Sequence, residues 1–434
     1  MMKSRLLKTS VLYKTGFIGL LLFNFSSGTY SQELKKEGRY YVAEITKNFT
    51  VKKGGTLRIY DVRGDVHIDT WDKNEVLVHE YKKMDVYTEE EAKTVLEESK
   101  SSYQQRGDVI EIGGEPYSRD WIKSNFVIKV PQVFNVDVET RGGDLSVSQL
   151  VGDVELSTSG GEIDLDSIDG NVNARTSGGD IEVTDSRKSV TLKTSGGDLV
   201  LRNIGGPLIA KTSGGDITLK SSKDRVELHT SGGDIEISDA GGEVKAHTSG
   251  GEIDVTSTQG SVTVHTSGGD IKLGDIGGSL DASTSGGDID GRTIQGGAEV
   301  STSGGSIELQ DVKGGVQAKT AGGDITVEIT LTDFKQDHRV DLRTAGGEIS
   351  LYIPEKMPAT IRAEIEITDR WEDYNIYSDF PLTSAEESGG EHRERSRRYR
   401  SRKFIRSEGE INGGGDLIEL FTTNGDIHIR KLRK

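Results

Sequence analysis

The hexapeptide Thr212-Ser213-Gly214-Gly215-Asp216-Ile217 decides the fold of this chain, because close copies of it return every 18 residues. The threonine that opens each copy stands at positions 140, 158, 176, 194, 212, 230, 248, 266, 284, 302 and 320, and no insertion interrupts these eleven copies. A short period held this strictly is typical of a solenoid, in which each coil stacks on the next and all coils share one core.

Each 18-residue unit contains two short runs in which apolar and polar residues alternate, nine residues apart. Ile217-Thr-Leu219 and Val226-Glu-Leu228 are one such pair of runs. Alternation with period two predicts half-buried strands, so one unit makes one coil with at least two parallel sheets. A hexapeptide helix would also have 18 residues per coil, but it needs apolar residues six apart, and Arg187 and Lys193 follow Ile181 at that spacing.

A second period of 36 residues lies inside the first. One inward position of the coil alternates between large and small residues along the array: Leu156, Ala174, Leu192, Ala210, Leu228, Ala246, Val264, Ala282, Val300 and Ala318. Pairing large with small keeps the volume of a close-packed interior nearly constant. The sequence therefore predicts an all-β chain, a single long parallel β-solenoid with a two-coil repeat.

The Gly-Gly-Asp part of the hexapeptide carries two further expectations. Its glycines are expected to supply turn positions with positive φ. Its acidic residues form a column that could bind calcium: Asp144, Glu162, Asp180, Asp198, Asp216, Asp234, Glu252, Asp270, Asp288 and Asp324. The Gly-x-Asp half of the calcium-binding β-roll motif is missing, however, which favours carboxylates that accept hydrogen bonds from turn amides.

Three histidines, His229, His247 and His265, occupy the same outward strand position in consecutive coils. Imidazoles stacked in this way could share zinc or nickel. The same position holds lysine or arginine in earlier coils, so the coil does not depend on histidine. An exposed row without metal is therefore favoured, and the sequence indicates no cofactor.

The chain divides into four segments. Residues 1–31 predict a signal peptide, because basic residues precede the apolar run 17–23, and Ser31 suits cleavage before Gln32. Residues 32–136 predict a β lead-in or cap with a helix at about 89–105. Residues 137–330 are the regular array, and residues 331–434 predict C-terminal coils and a cap with a disordered basic loop at about 385–403.

Composition excludes several classes of function. The formal charge of −17 excludes nucleic acid as a partner of the body, and the absence of cysteine excludes disulfides and thiolate chemistry. No stable membrane span is expected in the mature chain. Residues 141–330 contain no aromatic residue, so the array lacks the means to stack on sugars or bases. No catalytic grouping stands out from the repetition, so the chain is not expected to be an enzyme.

The Ile128-Lys-Val-Pro131 lead-in, the eleven hexapeptide coils and the closing Asn424-Gly-Asp-Ile-His-Ile429 together resemble exported bacterial β-strand-repeat proteins. These are often labelled adhesins or autotransporter-adhesin-like, and many lack an assigned function. The resemblance implies an exported, non-enzymatic scaffold or adhesin-like binding module of the cell envelope, in the periplasm, on the outer membrane or outside the cell. An envelope polysaccharide or a protein is the implied partner. The alternative is a surface protein that binds calcium, another metal or a glycan.

Overall fold

A computed structural model describes residues 31–114, 121–368, 373–388 and 403–432. The predicted signal peptide lies outside the described residues except for Ser31, and so do residues 389–402 of the predicted basic loop. None of the described residues forms a helix long and apolar enough to cross a membrane.

The described chain consists of strands and one helix. The N-terminal part contains β1 (Ser31–Glu37), β2 (Tyr40–Thr50), β3 (Gly55–Val62), β4 (Val66–Trp71), β5 (Glu75–Met84), α1 (Glu89–Glu98), β6 (Ser102–Arg106), β7 (Val109–Gly113), β8 (Ile122–Pro131) and β9 (Phe134–Thr140).

The regular array follows without a break. It contains β10 (Leu145–Ser148), β11 (Val154–Ser157), β12 (Ile163–Ile168), β13 (Val172–Arg175), β14 (Ile181–Ser186), β15 (Val190–Lys193), β16 (Leu199–Ile204), β17 (Leu208–Lys211), β18 (Ile217–Leu219), β19 (Val226–His229), β20 (Ile235–Ile237), β21 (Val244–His247), β22 (Ile253–Thr258), β23 (Val262–His265), β24 (Ile271–Ile276), β25 (Leu280–Ser283), β26 (Ile289–Ile294), β27 (Ala298–Ser301), β28 (Ile307–Val312), β29 (Val316–Lys319) and β30 (Ile325–Ile329).

The C-terminal part completes the stack. It contains β31 (Val340–Arg343), β32 (Ile349–Ile353), β33 (Ala359–Ile367), β34 (Ile376–Ser378), β35 (Thr383–Ser388), β36 (Lys403–Ile411), β37 (Asp416–Thr423) and β38 (Ile427–Lys431).

Two parallel sheets run the length of the array, which confirms the predicted β-solenoid. Even-numbered strands from β10 to β32 form sheet A, and odd-numbered strands from β9 to β31 form sheet B. Ile217 in sheet A pairs with Leu199 and Ile235, 18 residues away on either side. Residues at the same place in successive coils are therefore neighbours, and every sequence column becomes a column on the surface or in the core.

The main core is a continuous apolar cluster from Val51 to Ile429, and a second, smaller cluster packs residues of α1, such as Ala92 and Leu96, against strand residues such as Ala43 and Met84. The inward columns of the main core are buried in every coil, whereas the residues between them face outward. Leu192 and Ala210 have exposed fractions of 1% and 0% and are paired across β15 and β17. The large and small members of the 36-residue alternation therefore lie directly against each other in the core.

Exchanging these two side chains, in the double variant Leu192→Ala and Ala210→Leu, is expected to lower the free energy of unfolding by at least about 3 kcal/mol, because it creates a cavity in one coil and overpacks the next. Denaturant unfolding measures the effect. The matched control exchanges the outward pair Thr191 and Ile209 on the same two strands. An equal loss in both variants would contradict the proposed alternation.

The helix is shorter than predicted. It begins at Glu89, where the Thr88 hydroxyl accepts a hydrogen bond from the backbone N–H of Glu91 at 3.1 Å, and it ends at Glu98 rather than near residue 105. Residues 102–106 form β6 instead, which pairs antiparallel with β7 across a turn at Gly107. Tertiary pairing has overridden helix propensity there.

Coils at both ends are stacked out of chain order. The coil of β3 and β4 lies between the coil of β7 and β8 and the coil of β9 and β10. At the other end the last coil of the chain, β37 and β38, is inserted between β31 and β32 on one side and β33 and β34 on the other. The first and last coils are thereby held on both sides.

This arrangement corrects two expectations for the C-terminal segment. The predicted C-terminal cap is not made by the last strands of the chain, because β37 and β38 lie one coil inside the stack and β34 and β35 are outermost among the described strands. Residues 385–388 and 403 of the predicted loop lie in strands instead, because β35 reaches Ser388 and β36 begins at Lys403. These two strands pair with each other, and β36 also pairs with β33.

Candidate functional site

The recurring threonine is buried and joins successive coils. From Thr158 onward, its hydroxyl donates to the carbonyl of the second glycine of the preceding coil, as from Thr230 to Gly215 at 2.8 Å and from Thr248 to Gly233 at 2.9 Å. Thr230 and Thr248 have exposed fractions of 0%. A buried hydroxyl that satisfies a carbonyl in this way stabilises the stack and leaves no oxygen for a ligand.

From Gly161 onward, the second glycine of each pair is required by close packing and not by its φ angle. A Cβ at this position from Gly161 to Gly347 would lie 1.8–2.2 Å from the carbonyl oxygen of its counterpart in the preceding coil. None of the glycines in these later pairs has φ between +20° and +160°, so the expectation of positive φ is wrong there, whereas the first pair has it, with φ of 156° at Gly142 and 119° at Gly143. Positive φ occurs instead at corner residues such as Ser167 and Asp185, with φ of 58° and 57°.

The acidic column forms a ladder of hydrogen bonds between coils. Asp198 Oδ1 accepts from the backbone N–H of Asp216 at 2.9 Å, and Asp216 Oδ1 accepts from that of Asp234 at 2.8 Å. The ladder begins at Asp65, whose Oδ1 accepts from the Asp144 N–H at 3.1 Å. Each aspartate that takes part already uses one carboxylate oxygen in holding the next coil.

The three candidate metal ligands are brought together in a stack. The ring centroids of His229 and His247 are 4.8 Å apart and those of His247 and His265 are 5.0 Å apart, with interplanar angles of 8° and 5°. His265 Nδ1 lies 2.8 Å from Ser283 Oγ. Burial lowers the pKa of His247 below its usual value, and the neighbouring imidazoles lower it further.

This spacing does not suit one shared ion. Two nitrogens bound to the same zinc at about 2.0–2.1 Å lie at most about 4.2 Å apart. Equivalent nitrogens of parallel rings are separated by about the distance between the rings, so a ring would have to leave the stack to share an ion. Within the described ranges, no group of three or more His, Cys, Asp or Glu residues could hold a metal ion.

A serine, a histidine and an aspartate meet on the outer face of sheet A. Nδ1 of His67 lies within hydrogen-bond distance of Ser146 Oγ, and Nε2 lies 3.0 Å from Asp69 Oδ2. A sequence separation of 79 residues between His67 and Ser146 conceals this group in the sequence. A pattern that could have revealed it is Gly64-Asp-Val-His-Ile68, which has the same spacing of glycine, acidic and apolar residues as the repeat. This segment pairs His67 with Ser146 in the stack.

Aromatic side chains appear on the outer face of sheet A only beyond the array. Tyr352 and Tyr377 have exposed fractions of 36% and 43%, and the ring of Tyr377 stacks on His428 with centroids 4.9 Å apart. Arg430 lies beside His428 and is 3.7 Å from Asp379. The C-terminal end of the solenoid thus combines exposed aromatic rings with charged groups, which the array does not.

A model of the Toastrack domain DUF4097 matches residues 57–242 and 239–430 of the chain. This chain belongs to the Toastrack DUF4097 family. The match confirms the resemblance to a β-repeat family. The two Toastrack matches meet within the uninterrupted stack, since Ala240 bridges to Ser222 in one coil and to Thr258 in the next.

Three solved structures show limited similarity to this Toastrack chain. A candidate adhesin from Bacteroides fragilis is 16% identical over 64% of this chain and 96% of its own, with a TM-score of 0.24. One from Parabacteroides distasonis is 16% identical over 71% and 97%, with a TM-score of 0.22. A candidate cell adhesion protein from Clostridium sporogenes is 8% identical over 93% and 100%, with a TM-score of 0.14. None of the curated proteins compared with the chain matches it.

Proposed function

We propose that this Toastrack chain is an exported, non-enzymatic β-solenoid that serves as a scaffold or adhesin-like binding module of the cell envelope. One observation carries the proposal: the threonine, the second glycine and the aspartate of the repeat are all used between coils. The repeated signature therefore builds a long, regular body. The residues available to bind a partner are the outward strand residues, which differ from coil to coil.

The serine–histidine–aspartate group on sheet A does not favour an enzyme. Hydrolysis by an activated serine needs backbone or side-chain donors aimed at the developing oxyanion. Ser146 lies in β10, which is paired on both sides, with β4 and β12, so amides of this strand are used in the sheet. The His67 and Asp69 side chains are also 49% and 40% exposed, so water is not excluded from the group.

Calcium or metal binding is the less favoured alternative. The aspartates of the ladder accept hydrogen bonds from backbone amides, and the stacked histidines are too far apart to share an ion without moving. Glycan binding is compatible with the exposed Tyr352 and Tyr377 at the C-terminal end. We therefore keep a glycan as the preferred partner of the binding module.

The test is the location and N-terminus of the chain in a bacterial cell that expresses it. Fractionation is expected to recover it from the periplasm, the outer membrane or the medium, and mass spectrometry is expected to find Gln32 as its first residue. Cleavage there leaves most of β1 in place as a strand paired with β2. A cytoplasmic chain that retains Met1 would contradict the proposed export.

A further inference from the structure

One outward column of sheet B is cationic over consecutive coils. Arg175, Lys193 and Lys211 are register partners on β13, β15 and β17, and we call them the cationic column. Neighbouring strands lie about 4.8 Å apart, so successive charges follow each other at that interval along the solenoid. The chain as a whole has a formal charge of −17, so the column is a positively charged row on a negatively charged protein.

The charge at the start of the column is not neutralised by neighbours. Among the residues that the structure describes, no carboxylate lies within 4.0 Å of the charged groups of Arg175 or Lys193, although Lys211 is 2.6 Å from Glu227. The outward residues two positions earlier on the same strands are Asn173, Thr191 and Ile209, which carry no charge. A ligand that follows the column would meet little negative charge from its own strands.

The histidine stack continues the same column. His229 is the register partner of Lys211, and His247, His265 and then Ser283 follow in order. The charged side chains beside this part of the column are Glu227 on β19, Lys245 on β21 and Asp281 on β25, whereas β23 carries the uncharged Thr263. Each imidazole has at least one ring N–H, so this half of the column offers hydrogen-bond donors to an acidic group.

The same position is neutralised nearer the C-terminus. After Ser283 and Ser301 the column reaches Lys319 and Arg343. Arg343 lies 2.6 Å from both Asp341 and Glu419, so its charge is balanced by carboxylates. Within the described residues, Arg175 and Lys193 are therefore the two cations of the column without a carboxylate partner, and the histidine stack follows them beyond the ion pair of Lys211 with Glu227.

We propose that this surface binds a linear anionic polysaccharide, with the cationic column holding its acidic groups and the histidine stack extending the contact. The proposal rests on the envelope binding role above and names its partner class. A polymer with acidic groups at regular intervals can lie along a straight row of cations and contact several coils at once. Each contact is weak alone, but contacts made by one polymer chain are linked, so the overall affinity is higher than that of any single contact.

The surroundings favour a polysaccharide over other polyanions. The absence of aromatic residues from 141–330 removes stacking on both bases and sugars, but single-stranded nucleic acid depends on base stacking for much of its affinity, whereas the acidic groups of a polysaccharide can be held by charge alone. An anionic membrane presents a plane of charge, whereas this surface is a single row with Glu227 and Asp281 beside its far half. The acidic ladder residues would also repel a broad anionic surface.

The test compares dextran sulfate with unmodified dextran as probes of the full-length mature chain. The two polymers share one backbone, so binding only to dextran sulfate isolates the effect of charge. Binding is expected to weaken as the salt concentration rises, because binding releases counterions from the polymer and this release is less favourable at high salt. Duplex DNA is the competing polyanion, and DNA bound as tightly as dextran sulfate through the same lysines would overturn the polysaccharide assignment.

The decisive variant is the double substitution Lys193→Gln with Lys211→Gln. A basic side chain near an anionic surface contributes about fivefold in affinity, so the pair is expected to weaken dextran sulfate binding by roughly 20- to 30-fold. The matched control, Lys220→Gln with Lys272→Gln, removes the same net charge elsewhere and is expected to change affinity by less than about twofold. Equal losses in the two variants would overturn the column as the site.

The histidine half is tested by substitution at constant pH and salt. Replacing His229, His247 and His265 together by alanine removes the ring N–H donors along this half of the column and is expected to weaken dextran sulfate binding by roughly fivefold. An affinity that the triple substitution leaves unchanged would overturn the histidine extension.

These outcomes separate the proposal from the proposed function. An exported chain that ignores dextran sulfate would keep the envelope role and overturn the cationic column as a polysaccharide site. A chain that binds dextran sulfate through the column but stays in the cytoplasm would overturn export and support the binding surface.

Discussion

Replacing Gly215 by alanine is expected to lower the free energy of unfolding by at least about 3 kcal/mol, the upper part of the range for overpacking a close-packed interior. The new Cβ would lie 2.0 Å from the Gly197 carbonyl oxygen and 2.6 Å from Asp198 Oδ1. That carbonyl accepts the hydrogen bond of Thr212 at 2.9 Å, and Asp198 Oδ1 accepts that of the Asp216 amide. One methyl group therefore disturbs both kinds of bond between two coils.

The neighbouring glycine provides the control. A Cβ on Gly214 would meet nothing closer than 3.6 Å, and Gly214 has no φ in the left-handed region, so Gly214→Ala is expected to change stability by less than about 1 kcal/mol. Urea unfolding followed by circular dichroism compares the two variants. Similar losses for both would mean that the pair is needed for chain flexibility, and the close-approach explanation would fail.

The period of the sequence predicted the register of the fold because stacking turns every repeated position into a column. The Asp216 carboxylate was expected to bond a turn amide, and it does so in the next coil. The role of Gly215 was misjudged, since a glycine needed for positive φ and one needed for close approach look the same in a sequence. Only the backbone coordinates separate these two causes.

The ends of the solenoid were less predictable for a physical reason. Within the array each strand pairs with residues 18 away, but β37 pairs with β31 and β33, far away in the chain. Such long-range insertion leaves no periodic signal. The same reason hid the contact between His67 and Ser146, although the repeat rhythm around His67 could have revealed it.

Repeated and variable positions of the coil have different roles in this protein. Residues that recur in every coil, such as Thr230 and Gly215, face a neighbouring coil and are protected from solvent or crowded by backbone. Outward residues such as Lys193 and His229 change along the array without affecting these contacts. A solenoid of this kind can therefore acquire a binding surface without cost to the stack.

The second large loss of stability is expected from substitutions at a buried ion pair in the N-terminal cap. Glu80 and Lys82 lie on β5 with exposed fractions of 0% and 2%, and Lys82 Nζ is 3.5 Å from Glu80 Oε1. Lys82 also donates to the carbonyl of Ser99 at the end of α1, while Ser101 and Tyr103 donate their hydroxyl hydrogens to Glu80. The pair therefore ties the helix and β6 to sheet A.

Lys82→Met is expected to lower the free energy of unfolding by about 3–5 kcal/mol, because it leaves the Glu80 carboxylate buried without a counter-charge. Adding Glu80→Gln to this variant removes the stranded charge and keeps an acceptor for Ser101 and Tyr103. The double variant is therefore expected to recover at least about half of the loss. Denaturant unfolding of the four proteins in the double-mutant cycle measures the coupling. If the two single losses simply add, Glu80 and Lys82 do not act as a pair, and the cap is held by the hydroxyl and helix-end hydrogen bonds alone.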